Sequence, residues 1–245
     1  MAKAKIFVGE TEVEQADSFK VEGYVPLGDG ENVTHEEVPV PRLVDEIESY
    51  LLEVGQENTE GFGGSVAGGV RLQQIPDEFA PCLAELLKCK SEIHNYLEIG
   101  SAAGGSCYVM NHFFPLKKIV LIDNNGLNMQ GTRNEVLKGI FHQELIGRSD
   151  DEFVVGSVAK MGIQFDLILL DSDHSYQNVR LEAALYLPFL RPGGFLFLHD
   201  TVSSPQGDGR VMRELVAYCG MELIAEYVSE KGPKLGIGLL RKVVA

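Results

Sequence analysis

Apolar and polar positions change their period along the 245 residues of this chain. Leu43, Ile47, Tyr50, Leu51 and Val54 recur at helical spacing behind Pro41, a residue suited to a first helical turn, and form one apolar stripe. From Ile75 onward helical and strand-like segments alternate. Pro76 opens a helix to residue 88, residues 95–99 form a strand, and residues 105–114 form a helix. Residues 118–122 form a second strand that ends at Asp123, followed by a helix over 129–138 and a short third strand over 153–155. Residues 165–170 are almost continuously apolar, the pattern of a strand covered on both faces in a parallel sheet. A helix over 176–190, a strand over 195–198, a helix over 210–218 and two strands near 223–228 and 236–240 complete the pattern. Such alternation predicts an α/β fold, a doubly wound, mostly parallel sheet of seven strands.

The length allows one such domain and a smaller extension. Residues 71–245 hold the alternating pattern. Residues 1–70 are mixed, with a β-like I-F-V at 6–8 and turn residues Gly28, Gly30, Pro39 and Pro41. This extension, with its apolar stripe, reads as a lid or an oligomer element. Residues 61–69, G-F-G-G-S-V-A-G-G, are too rich in glycine for a regular element and form either a cover over a ligand or a plain linker.

An apolar fraction of 44% and a charged fraction of 23% are those of a soluble globular protein, and no apolar run reaches the length of a membrane span. The first residues, M-A-K-A-K-I-F-V-G-E, lack the apolar segment and cleavage site of a secretory signal, so a cytoplasmic protein is expected. Cys82, Cys89, Cys107 and Cys219 have no paired spacing and read as free thiols. Thirty-six acidic residues against 21 basic ones give a net charge of −15, which opposes binding to nucleic acid or an anionic membrane. A small or cationic partner fits better.

The segment from Tyr96 to Ser106, Y-L-E-I-G-S-A-A-G-G-S, runs from an apolar strand through an acidic residue into a glycine-rich turn before a helix. Glu98 can accept from an amino group or hydroxyl, and Gly100, Gly104 and Gly105 let the backbone approach a ligand where a Cβ would clash. The spacing departs from G-x-G-x-x-G, whose middle glycine a dinucleotide pyrophosphate needs. A ligand without phosphate makes no such demand. The E-x-G-x-x-x-G strand-turn-helix from Glu98 to Gly104 resembles the first motif of the class I S-adenosylmethionine-dependent methyltransferases. That resemblance implies their Rossmann-like fold, S-adenosylmethionine as cofactor, and a cofactor-binding set of Glu98, Gly100, Ser101, Gly104, Ser106 and Asp171. It also implies that Asp123, after the second strand, accepts from the ribose hydroxyls, and that Gly156 and Ser157, after the third, flank the adenine.

In doubly wound sheets ligands bind outside the carboxyl ends of the strands. The segments F-D-L-I-L-L-D-S-D-H-S-Y and L-R-P-G-G-F-L-F-L-H-D-T bring Asp171 and the pair His199 and Asp200 to adjacent strand ends. Two facing carboxylates repel and push one toward protonation, a conflict that a divalent ion removes. Over about residues 70–242 the chain resembles the metal-dependent O-methyltransferases, both the catechol type and a bacterial branch acting on sugars and natural products. This implies Asp171, His199 and Asp200 as metal ligands and His174, three residues after Asp171, as general base. His199 departs from that branch, where a carboxylate is usual. Imidazole suits manganese, iron or zinc better than magnesium, so the ion is magnesium, manganese or another divalent metal. An alcohol gives up its proton only as its oxygen attacks, and His174 can accept it. Thr201 reads as a support for the ligands or a turn hydroxyl. Gln73 and Gln74 resemble a segment that the bacterial branch carries near its cofactor, with a polar start to the Pro76 helix as the plain alternative.

These readings predict transfer of a methyl group from S-adenosylmethionine to a hydroxyl of a small molecule, a sugar, a polyketide or a catechol-like ring. An NAD-dependent oxidoreductase and an inactive cofactor-binding module are the alternatives. The missing glycine argues against the first, and the presence of both Asp171 and Asp200 against the second. Residues 203–209, S-S-P-Q-G-D-G, form a substrate loop or an ordinary connection. The resemblance further implies a homo-oligomer, since the family's fold often pairs through N-terminal helices.

Overall fold

The structure, a computed structural model, describes residues 40–55 and 70–243 together with four short strands before them. Strand β1 (Phe7–Val8) pairs with β2 (Thr11–Glu12), and β3 (Ser18–Lys20) with β4 (Glu37–Pro39), both antiparallel. The glycine-rich segment 61–69 and the turn residues Gly28 and Gly30 lie outside the described residues. Helix α1 (Val40–Val54) opens with Pro41 in its first turn, as its sequence predicts.

From α2 (Pro76–Leu87) the chain alternates through β5 (Asn95–Ile99), α3 (Gly105–Phe113), β6 (Lys118–Asp123) and α4 (Gln130–Val136). It continues through β7 (Gln143–Ile146), α5 (Glu152–Lys160), β8 (Phe165–Leu170), α6 (Tyr176–Tyr186) and β9 (Leu190–Leu198). Helix α7 (Asp208–Tyr218), β10 (Met221–Tyr227) and β11 (Ile237–Lys242) end it. The expected seven-stranded sheet forms, in the order β10-β11-β9-β8-β5-β6-β7. Strands β5 to β9 run parallel, and β11 joins β9, and β10 joins β11, antiparallel.

The sheet separates two apolar layers, and the alternation of side chains along each strand feeds both. Leu167 and Leu169 of β8 face the layer that holds α1, α2 and α3, while Ile168 and Leu170 face the layer that holds α5, α6 and α7. Leu43, Ile47 and Leu51 of the α1 stripe are buried in the first layer, beside Phe79 and Leu83 of α2. Each such side chain contributes on the order of 2 kcal/mol through area removed from water.

The third strand departs from the sequence expectation. Residues 153–155 lie in α5, whose start is capped by the Asp151 carboxylate accepting from the Phe153 N–H at 2.7 Å. The strand beside β6 is β7, at the open edge of the sheet and without a fully buried residue. Register then sets the site. Ile99 pairs with Leu170 and Leu170 with Leu198, which places Gly100, Asp171 and His199 side by side at the carboxyl ends.

Candidate active site

At the end of β5 the glycine turn passes between its neighbours with no room for side chains. Gly100 has φ 90°, and a Cβ there would be driven into the Asp171 carbonyl. Ala102 is also left-handed, at φ 39°, a conformation that needs outside support. The support is polar. The Asp123 carboxylate accepts from the Ala102 N–H at 2.8 Å and from the Asn125 N–H at 2.6 Å, and Arg133 of α4 donates to the Ala102 carbonyl and to Glu144. Glu98, buried beneath the turn, accepts from the Tyr96 hydroxyl at 2.8 Å and from the Ser106 hydroxyl. Burial pushes its carboxyl up to about 7, against the two hydroxyl donors that hold it down.

The turn forms one wall of an open cleft of ≈ 260 Å³ at the carboxyl ends of β5 to β8. Gly100, Asp123, Asp171 and His174 line it, and Gln73 borders it. Ser101, Gly105 and Ser106 line a smaller recess beside it, together with Gln74, whose amide donates to Asp171 Oδ2 at 2.7 Å. Gly104 caps α3 at φ 84°. Gly156 and Ser157 do not reach the cleft. Both lie within α5, where the Ser157 hydroxyl donates to the Phe153 carbonyl at 2.6 Å. The residues that follow the third strand and line the cleft are Gly147, Arg148 and Ser149, joined by Glu182 of α6. A Gly-Arg-Ser run after a half-exposed edge strand carries too weak an apolar signal to be placed from sequence.

Next to the cleft stands an acid–imidazole cluster. Asp171 follows β8, and Asp200 follows β9 in the left-handed conformation at φ 58°, a strained state for a residue with a Cβ. His199 is buried beneath the two, with Nδ1 2.7 Å from Asp200 Oδ2 and 3.1 Å from Asp171 Oδ1. Its Nε2 meets no partner among the described residues. Burial works to lower the His199 pKa, but Asp171 and Asp200 outweigh it and hold it near 10. His174 is more open, with 26% of its side chain exposed. Its Nε2 lies 3.2 Å from Asp200 Oδ2, and its Nδ1 lies 3.2 Å from Asp208 Oδ2 at ion-pair distance without hydrogen-bond alignment. Burial again lowers its pKa, while Asp208, Asp200 and Asp171 raise it to about 9.

Donor atoms of Asp171, His174 and Asp200 lie within 4.8 Å of one another, so one divalent ion fits among them. His174, rather than His199, completes this converging set. The segment 203–209 grips His174 from behind: the Ser204 hydroxyl donates to the His174 carbonyl at 2.8 Å, and Asp208 faces its ring. Thr201 is buried, its N–H donating to the Gly236 carbonyl at 3.2 Å and its hydroxyl without a partner among the described residues. His94 and His142 contact the carbonyls of Pro115 and Ile140, and His112 stacks on Tyr50.

A sheet in this order, with its glycine turn after the first parallel strand and its cleft at the switch between β5 and β8, has the class I methyltransferase architecture. Residues 97–201, from β5 to the turn after Asp200, match the family described as "Methyltransferase domain". Among solved structures, the O-methyltransferase TomG of Streptomyces achromogenes, involved in tomaymycin synthesis and solved with S-adenosylmethionine, superposes with a TM-score of 0.55 at 16% identity, over 82% of this chain and 90% of that one. An O-methyltransferase of Bacillus cereus with S-adenosylhomocysteine gives 0.54 at 16% identity, over 83% and 90%. MycE, a methyltransferase of mycinamycin biosynthesis solved with Mg, S-adenosylhomocysteine and mycinamycin VI, gives 0.51 at 18% identity. That match covers 67% of this chain and about half, 49%, of MycE. At these identities the likeness establishes the fold. No curated protein matches the chain in sequence.

Among the described residues, no helix is long and apolar enough to cross a membrane.

Proposed function

We propose that this protein transfers the methyl group of S-adenosylmethionine to a hydroxyl of a small molecule, with a divalent metal ion at Asp171 and Asp200. The observation that carries the reading is the adjacency of two sites. The methyl-donor cleft and the acid–imidazole cluster share Asp171, so a hydroxyl presented at the cluster lies beside a donor held in the cleft. In this assignment the glycine turn of Gly100, Ser101 and Gly104 receives the amino-acid end of the cofactor, supported from below by Glu98 and Ser106. Asp123, whose oxygens already take two N–H groups, has lone pairs left for the ribose hydroxyls.

When bound, the ion supplies a Lewis acid that lowers the pKa of an acceptor hydroxyl and favours chelating acceptors such as vicinal diols. The chain's own residues do the rest. His199 donates from Nδ1 to both carboxylates and fixes their spacing, while Gln74 holds the outer oxygen of Asp171. A bound ion would offset the Asp171 and Asp200 charges that help raise the His174 pKa, and Asp208 favours the proton on Nδ1, which leaves Nε2, 3.2 Å from Asp200 Oδ2, as the base. The acceptor oxygen forms its bond to the methyl carbon as the carbon–sulfur bond breaks, its proton passes to His174 Nε2, and S-adenosylhomocysteine leaves. Holding the two substrates together supplies much of the acceleration. MycE, which resembles the chain in fold, was solved with mycinamycin VI, in keeping with a sugar or natural-product hydroxyl as acceptor.

Calorimetric titration of magnesium, then manganese, into S-adenosylhomocysteine-saturated protein tests this reading. Stoichiometric binding that Asp200→Asn abolishes and His174→Ala preserves is the expected result. Loss of binding in His174→Ala would move that residue from base to ligand, and no binding of either ion to the unaltered protein would remove the metal from the reaction.

A further inference from the structure

One edge of the sheet is left open. Strand β7 pairs with β6 on one side and, among the described residues, with nothing on the other. Exposed strand edges are ordinarily guarded by a bulge, a proline or outward charges. The opposite edge strand, β10, is guarded in this way, with a register break between Leu223 and Ala225 and with Glu222 and Glu226 along it. Strand β7, Q-E-L-I, has neither bulge nor proline nor lysine, and its one charge, Glu144, is turned back onto Arg133 and Gln130. The two phenylalanines left exposed among the described residues stand at its ends. Phe141, 84% exposed, lies two residues before the strand, and Phe153, 75% exposed, lies in the first turn of α5. Ile146, the last residue of the strand, is exposed as well.

Helix α5 continues this uncovered flank. It returns from the carboxyl end of β7 to the amino end of β8, so it runs antiparallel to β7, and its nine residues match the strand's four in length. Gly156, its central residue, is level with the middle of the strand. Val154 and Val158 point into the second apolar layer, and Val155 packs beside them. In a right-handed crossover this turns Phe153, Gly156 and Lys160 to the flank above the free edge. A glycine inside a helix weakens it relative to alanine, yet a Cβ at Gly156 would meet nothing within 4 Å. Nothing among the described residues calls for that glycine, whereas a helix crossing closely from outside does. The flank is also polarised. Asp151 and Glu152 make the corner at the carboxyl end of β7 acidic, while Lys138 and Lys160, which have no ion-pair partner among the described residues, make the other corner basic.

An edge that is apolar at both ends, acidic at one and basic at the other, complements a copy of itself turned through 180°. We infer that the protein forms a homodimer by antiparallel pairing of β7 with β7 of a second copy, the two α5 helices crossing at Gly156 beside the two-fold axis. Acidic corner then meets basic corner, which offsets the repulsion that a net charge of −15 sets between two copies. Pairing through β10 would instead bring the glutamates of one copy near those of the other. The dimer stands whether or not the protein transfers methyl groups.

Sedimentation velocity of the full chain, together with amide hydrogen exchange, tests the dimer. At about 50 μM the unaltered protein is expected at twice the mass of one chain and should dissociate on dilution. The amides of residues 143–146 should exchange about tenfold more slowly at the high concentration than at the low one. Phe153→Asp and Gly156→Gln alter positions that pack against nothing in the chain, so both keep the fold, and each should raise the dimer Kd by about tenfold or more. Gly156→Gln should at the same time raise the Tm of the monomer, since a better helix former replaces glycine, the opposite of what damage to α5 would do. Monomer at every concentration with unprotected β7 amides would overturn the inference and leave the edge to a different protein. Monomer with those amides protected throughout would also overturn it, because a segment of the same chain would then cover the edge. A dimer that both variants leave intact, with exchange at 143–146 independent of concentration, would put the contact on another face and overturn it too.

Discussion

Glu98 shows what a single buried carboxyl does to the balance between folded and unfolded chains. Its ordinary value is 4.5, and burial raises it to about 7 in the fold. Below pH 4.5 the group is protonated in both states and its hydrogen bonds to Tyr96 and Ser106 are kept at no electrostatic cost. Between pH 4.5 and 7 the unfolded chain releases its proton first, so this contribution to stability is lost as the pH rises, by a total on the order of 3 kcal/mol. Urea unfolding of the ligand-free protein across this range should therefore show a downward slope that Glu98→Gln removes. An identical slope in the variant would mean that Glu98 is already ionised in the fold. The position of Glu98 was legible in sequence, since an acidic residue at the end of an apolar strand stands out. Its partners were not, because Tyr96 reaches it from two residues back along the same strand face, a contact that the alternation allows but does not demand. The same holds for His199 and His174. Both were marked by their neighbours in sequence, yet which of them lies under the carboxylates and which faces the opening depends on the turn that Asp200 makes at φ 58°.

Among the elements, α2 has a part that its apolar pattern hides. Its first turn carries Asp77 and Glu78, both buried. Glu78 accepts from the N–H groups of Ser229, at 2.8 Å, Leu235, at 3.1 Å, and Gly236, and Asp77 accepts from the Ser229 hydroxyl at 2.9 Å. These bonds tie down the loop between β10 and β11. That loop in turn holds the site, since the Leu235 carbonyl accepts from Val202 at 2.9 Å and Ser203 at 3.0 Å, in the turn just after Asp200. Glu78→Gln replaces one acceptor oxygen with an amide that points donors at donors. The expected cost is about 2 kcal/mol, with faster amide hydrogen exchange at Leu235, Gly236, Val202 and Ser203 and unchanged exchange in α5. Uniform loss of protection through the whole domain would show that the link is not local. The strands and helices from β8 onward were readable because each is a long run of one period, fully buried in β8 and β9. Strand β7 was not, because an edge strand that buries one face thinly has no apolar run to find, while the valines of α5 imitate one.

At the scale of the whole molecule, the sheet lies between the two apolar layers and contributes to both, and the two candidate sites sit on its carboxyl edge with Asp171 in each. Ligands that bind the folded chain stabilise all of it, by about 2.7 kcal/mol at a hundredfold excess over Kd, which for a domain of this size raises Tm by roughly 5–10 °C. S-adenosylhomocysteine alone should produce a shift of this order, and a divalent ion should add to it. The variants separate the sites. Asp200 belongs to the ion cluster and does not line the cleft, so Asp200→Asn should erase the increment due to the ion and keep that due to the cofactor product. Asp171→Asn should reduce both, because its carboxylate lines the cleft and also takes the Gln74 amide and the His199 ring. If a shared residue couples the two ligands, the increment due to the ion will differ with and without S-adenosylhomocysteine, and by reciprocity the ion will change the affinity for the cofactor product by the same factor. Increments that are strictly independent in the unaltered protein, with Asp171→Asn affecting only one of them, would separate the cleft from the cluster and take away the adjacency on which methyl transfer to a metal-held hydroxyl depends.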